Sequence, residues 1–131
     1  MEALKGVTAA QAAKHPIPSA HSIWEIAHHI GTWNEVVRRR IVGEAVALTD
    51  DENFPSKVTP SPAAWKKTLE VLESRHKALV KVVSKMPDNM LDTRRKRGVP
   101  TYYTVIHGVI QHDLYHAGQI SLLRKALRPG K

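Results

Sequence analysis

A chain of 131 residues with a hydrophobic fraction of 42% is long enough for one domain with a substantial core and too short for two. It has no cysteine, which excludes disulfides, thiolate metal ligands and a cysteine nucleophile, and no apolar run approaches the ~18–20 residues of a membrane span. Residues 1–20 lack the basic start and apolar core of a signal peptide, so the cytoplasm is the expected location, and 20 Lys and Arg against 12 Asp and Glu give a formal charge of +8.

In chain order, Met1 to Lys5 are too few before Gly6 to form a stable helix of their own. Thr8-Ala9-Ala10-Gln11 fits a capping box and predicts a short helix after Thr8, stopped by Pro16 and Pro18. A strong helix is predicted from about Ser22 to Val42, where Ile23, Ile26, Ala27, Ile30, Trp33, Val37 and Ile41 recur at three- and four-residue spacing before Gly43. Residues 44–60, with Asp50-Asp51-Glu52, Pro55 and Pro60, read as a long connection. Ser61 followed by Pro62 is an N-cap with proline in the first turn. The helix it opens carries Trp65, Leu69, Leu72, Leu79 and Val83, with His76 on the same stripe, and ends before Pro87. Residues 87–100 form a second connection, and a last helix runs from about Thr101 to Leu127, closed by Pro129-Gly130. No β pattern, internal repeat or low-complexity segment interrupts this order. The expected fold is all-α: three long helices and one stub.

The last helix carries the most informative motif. His112 and His116 are four residues apart, so their imidazoles share one face about 5–6 Å apart at Cβ, close enough to converge on one metal ion. Taking about 100° per residue, the wheel centres the apolar stripe near Ile110, Ala117 and Ile120, with His116 roughly 50° and His112 roughly 90° away. On the Ser22–Val42 helix, whose stripe centres between Ile30 and Val37, His29 falls roughly 80–90° from the centre on the side of Trp33, where neighbouring helices meet, and His28 falls nearly opposite, facing solvent. His29 is therefore the expected third ligand. The alternative is three histidines hydrogen-bonded along amphipathic faces; a pair at i and i+4 plus a third on a facing helix favours the metal.

Without cysteine, such a site rests on nitrogen and oxygen donors, which suits Zn, Ni, Fe or Mn. Three imidazoles leave coordination positions open, the catalytic arrangement, in which the pKa of a bound water falls toward neutrality. Asp113, near the middle of the stripe, could orient a ligand imidazole, act as a base on bound water, or pair with a basic residue for structural reasons. His112-Asp113-Leu114-Tyr115-His116 is only weakly similar to the zincin metalloprotease motif, since Asp replaces Glu and no downstream ligand is evident. His76 reads as a satisfied core histidine that could approach the site, while His15, His21 and His107 carry no spacing signal. Trp24, Trp33 and Trp65 read as core or interface aromatics, and Tyr102, Tyr103 and Tyr115 could line a pocket mouth.

Basic residues are spread along the chain, and only Arg94-Arg95-Lys96-Arg97 is dense. It precedes Gly98 and Pro100 and reads as a solvated loop rather than a dedicated phosphate-binding patch.

Ser22-Ile23-Trp24-Glu25-Ile26-Ala27-His28-His29-Ile30, with Trp33, Arg39-Arg40 and Gly43-Glu44, resembles the second-helix signature of the DinB/YfiT-like superfamily. Gly108-Val109-Ile110-Gln111-His112-Asp113-Leu114-Tyr115-His116-Ala117-Gly118-Gln119-Ile120 resembles its last-helix signature almost letter for letter. The resemblance extends from about Thr8 to Leu127. It implies an up-down four-helix bundle holding a divalent metal, usually nickel or zinc, on three histidines that match His29, His112 and His116. Members are commonly dimeric. Related proteins include metal-dependent hydrolases and thiol-dependent transferases and isomerases, whose open metal position would bind a low-molecular-weight thiol. A full first helix usually precedes the segment similar to Gly6–Gln11; here the chain starts almost where that helix would end.

The leading expectation is a metal-dependent enzyme acting on a small molecule, by hydrolysis or by thiol transfer, with Asp113 as orienting group or base. A non-catalytic ligand- or partner-binding module is the alternative. Nucleic-acid binding through Arg94–Arg97 is a third reading, which expects a steep salt dependence. Three long helices and a stub leave an apolar groove, and large exposed apolar patches are rare on monomers. A homodimer covering that groove across a two-fold axis is therefore expected, with the Ser22–Val42 and Thr101–Leu127 helices as its richest apolar surfaces.

Overall fold

The computed structural model describes residues 2–128, and the expected Pro129-Gly130 stop lies outside them. Among these residues five α-helices form: α1 (Ala9–Ala12), α2 (Ile23–Ile41), α3 (Asp50–Asn53), α4 (Pro62–Ser84) and α5 (Tyr102–Ala126). Among the described residues there is no sheet, only an isolated bridge between Arg94 and Thr101. None of these helices is long and apolar enough to cross a membrane.

Side-chain caps fix where the helices start. Thr8 with Gln11, and Ser22 with Glu25, form reciprocal capping boxes at α1 and α2. The Ser61 hydroxyl accepts from the Ala64 N–H at the start of α4, and Thr101 accepts from the Thr104 N–H at α5. Past the end of α2, Gly43 takes φ +97°, a left-handed conformation that glycine adopts without a Cβ penalty. Two departures from the sequence reading are local. Residues 2–4 form a 3-10 turn that seats Leu4 in the core, and the connection after α2 contains α3, nucleated by a Thr49–Glu52 capping box.

α2 is the central helix and packs against both α4 and α5, which scarcely touch one another. Its contact with α4 is close: a Cβ at Gly31 would lie 3.3 Å from the Leu72 Cα. The core divides along α2. A larger cluster gathers Leu4, Ile23, Trp24, Ile30, Trp65, Leu72, Ile120 and Leu123. A smaller one holds Val37, Ile41, Leu79 and Val109. His29, Asn34, His76, His112, Asp113 and His116 lie between them.

The last helix faces the core differently from its expected wheel. Val109, His116, Ile120 and Leu123 are buried, while Ile110, expected near the centre, is 53% exposed. The stripe is turned by roughly 40° toward His116. The cause is that Ile110, Leu114 and Ala117 extend the apolar pattern onto a side of α5 where no helix packs. A groove of about 230 Å³ lined by Leu79, Val80, Val83, Ile106 and Val109 runs there between α4 and α5.

Candidate metal centre

α2 and α5 bring His29, His112 and His116 together. Each offers one ring nitrogen, and the three nitrogens lie within 4.8 Å of one another. The ring centroids are 4.5–4.9 Å apart, with His29 and His116 buried and His112 half-buried. His28 is not part of this group; its Nε2 is 3.0 Å from the Glu52 carbonyl, where it ties α3 down.

The hydrogen bonds around the cluster set the state of each ring. His29 Nδ1 is 3.3 Å from the Asn53 carbonyl oxygen, His112 Nδ1 is 3.2 Å from Asp113 Oδ1, and His116 Nδ1 is 2.6 Å from Gln119 Oε1. Those oxygens accept, so each Nδ1 donates and each ring directs an unprotonated Nε2 elsewhere. The Nε2 atoms of His29 and His112 face one another at 2.9 Å. Two lone pairs at that distance repel unless a cation stands between them. A proton there would need an imidazolium, and burial, reinforced by the neighbouring His116 and His112 rings, pushes the His29 pKa down from 6.5 to about 4. Burial also lowers His116. A divalent ion fits this donor set: at about 2.0–2.1 Å from each nitrogen in tetrahedral geometry, the nitrogens would stand roughly 3.3 Å apart, between the 2.9 Å of the His29–His112 pair and the 4.8 Å within which all three lie.

The sequence profile of the DinB superfamily matches residues 1–120. The chain belongs to the DinB superfamily. No curated protein and no solved structure gave a significant match. The all-α arrangement of three main helices is thus a DinB-type helical fold, and its buried three-histidine cluster can bind a metal.

Behind the histidines of this DinB protein lies a polar layer that the sequence reading saw only in part. Asn34 is fully buried and donates from Nδ2 to the Ile30 carbonyl and to both carboxylate oxygens of Asp113, at 2.9 and 3.2 Å. A carboxylate only accepts, so Nδ2 must point that way. Asn34 Oδ1 then faces His76 Nδ1 at 3.1 Å, and His76 donates. His76, expected in the core, is instead exposed on α4, and it reaches the cluster only through Asn34 and Asp113. Asp113 is half-buried and sits beside Nδ1 of His112, away from the converging Nε2 atoms.

Aromatic residues make the other contacts, and of these only Phe54 lacked a sequence signal. Phe54, just after α3, stacks on His29 at 4.1 Å and on His21 at 3.7 Å, so its ring lies against both imidazoles. Trp33 lies 6.0 Å from His112 and donates to the Asn53 side chain, which fixes α3 over the site. Tyr115 is exposed, with its ring 5.1 Å from His116 and its hydroxyl accepting from Gln119. Trp24 and Trp65 are core residues, 5.0 Å apart. Asn34 could have been found as a polar residue interrupting the Ile30–Val37 stripe, and Gln119 as the i+3 neighbour of His116. Asn53 and Phe54 lie in an aperiodic segment and could not.

Proposed function

We propose that this protein is a metal-dependent enzyme acting on a small molecule, with one divalent ion, nickel or zinc, held by His29, His112 and His116. The observation that carries the reading is the pair of facing Nε2 atoms at 2.9 Å in rings whose Nδ1 atoms are all engaged with oxygen acceptors. An ion bound there supplies a Lewis acid with open positions, which lowers the pKa of a water or of a low-molecular-weight thiol. The chain's own groups prepare the site. Asn53, Asp113 and Gln119 hold the three imidazoles in one tautomer, the role such outer partners play around metal-ligating histidines. Both Asp113 oxygens are engaged, which favours the orienting role over that of a base. Phe54 shields one face of His29 from water.

Two panels test the reading with metal-loaded protein: low-molecular-weight thiols with electrophilic acceptors, and simple esters and amides. Turnover in one panel that disappears in His116→Ala is the expected result. Absence of turnover in both at full metal loading would overturn the enzyme reading in favour of a metal-binding module.

A second copy of the chain is the proposed partner for the α4–α5 side. Val80, Ile110 and Leu114 are 50, 53 and 68% exposed there. From Tyr102 to Leu123 the sequence has no Lys or Arg, and its only carboxylate is Asp113, although the chain carries +8. The α5 part of this face is one on which two strongly basic copies can meet without bringing cations together, and a two-fold axis would set each α5 stripe against its equivalent. α2 contributes little, since among the described residues the only large apolar side chain exposed near it is Val42 at its C-cap.

A further inference from the structure

The Arg94–Arg97 run is neither a free loop nor an extended basic strip. Arg94 pairs with Thr101 through the backbone and donates from Nη1 to the Val99 carbonyl at 2.6 Å. Arg95 donates from Nη1 to the carbonyls of Gly43 and Glu44, at 2.9 and 3.3 Å, which ties the loop to the end of α2. Between the two segments lies a cavity of about 380 Å³, within the range of small-molecule sites. Its wall is apolar, formed by Ile41, Val46, Val99 and Val105. Arg40, Arg95 and Lys96 also line it, together with one carboxylate, Glu44.

Among the described residues, no carboxylate lies within ion-pair distance of those three cations. The two nearby acids are engaged elsewhere, Glu35 with Arg38 and Glu44 with Arg39. Arg40 rests over the Trp33 ring at 5.5 Å, and Arg95 is anchored through one nitrogen, leaving the rest of its guanidinium fork uncommitted. Arg40 and Arg95 are therefore held in place without being neutralised, and the exposed Lys96 stands beside them. An apolar chamber with pre-positioned, unpaired cations is matched by a molecule having one anionic head and one apolar body. A guanidinium fork suits a carboxylate in particular, because it can bind both oxygens at once.

We propose that this cavity is a binding site for a small amphipathic carboxylate, a medium-chain fatty acid or an aryl carboxylate, with the head between Arg95, Lys96 and Arg40 and the body against Ile41, Val46 and Val105. The proposal stands independently of any metal on the histidines. It also gives the basic run a role other than nucleic-acid binding.

Sodium octanoate is the probe, titrated into the full chain and followed by amide NMR shifts and calorimetry, with octylammonium, octanol and inorganic phosphate as companions. The expected result is saturable octanoate binding with Kd below about 1 mM, with shifts grouped on residues 40–46, 95–99 and 102–105. Lys96→Glu and Arg40→Glu, both at exposed positions, should each weaken it at least about tenfold, as should filling the chamber with Val105→Trp. Octanol and phosphate should bind at least about tenfold more weakly than octanoate, and octylammonium should not bind. No saturable octanoate binding, shifts grouped elsewhere, equal binding of phosphate, or charge-reversal variants that bind as the parent does would each overturn the proposal.

Discussion

The two apolar clusters differ in how the chain closes them. The larger, around Trp24 and Trp65, is capped by the N-terminal segment, where Leu4 and Val7 are buried and the Trp65 indole donates to the Val7 carbonyl. The smaller, around Val37, Leu79 and Val109, opens into the α4–α5 groove. The amphipathic cavity lies past the end of α2 that bears Ile41, a member of this smaller cluster. Between the clusters sits the histidine layer. The larger cluster thus holds more of the buried side chains, while the smaller one adjoins both the α4–α5 groove and the amphipathic cavity.

The largest effect sharpens this contrast with one chemistry at two places. Leu72 and Leu79 are both buried on α4, in the larger and smaller cluster respectively. Leu72→Ala should cost about 4 kcal/mol in denaturant unfolding, and Leu79→Ala about 2 kcal/mol, because the open end can collapse around the lost methyls. Equal losses would break the comparison.

Next is the layer between them. Asn34→Leu leaves Asp113 and His76 without their shared partner and should cost about 2 kcal/mol. It should also weaken metal affinity by about 10- to 100-fold, since Asp113 then no longer holds His112 firmly. Lost stability with unchanged metal affinity would make the layer purely structural.

Much of this architecture was legible in the sequence because its signals are local or periodic. Thr8, Ser22, Ser61 and Thr101 cap the helices they were expected to start. His29 was separable from His28 because helical period alone distinguishes a core-facing from an outward residue. Three things were not legible. The α5 wheel was displaced because a hydrophobic pattern sums the core face with the apolar side flanking the groove, and Ile110 belongs to the latter. α3 is one turn long, too short to carry a period, so Asn53 and Phe54 could not be placed against His29. The expected solvated loop at Arg94–Arg97 is exposed, but its anchoring to the carbonyls of Gly43 and Glu44 joins segments about fifty residues apart and leaves no local signature.

Acid should act on the histidine layer before the rest. The His29 pKa is 6.5 in its ordinary state and about 4 in the fold, so the unfolded chain takes up a proton that the folded chain refuses between those values. Stability of the metal-free protein should be flat above pH 6.5, fall as pH drops toward about 4, and level off with respect to this group below that. Guanidinium midpoints at pH 7.5, 5.5 and 4 measure it, and a midpoint unchanged over that range would contradict the assignment.

The smallest effect on folding is expected at Leu114, which is 68% exposed. Leu114→Lys should change stability by less than about 0.5 kcal/mol while placing a cation on the uncharged face of α5. Light scattering should then give a 14.6 kDa monomer for the variant and twice that mass for the parent. A parent that is already monomeric would refute the dimer.

The central claim is that three imidazoles with engaged Nδ1 atoms converge to hold one cation. Elemental analysis of protein purified without chelator and reconstituted with nickel or zinc tests it directly, alongside His29→Ala, His112→Ala and His116→Ala variants shown to be folded. The account predicts about one equivalent of metal per chain in the parent and loss of most of it in each variant. Less than about a tenth of an equivalent in the reconstituted parent, or full loading in the folded variants, would contradict it.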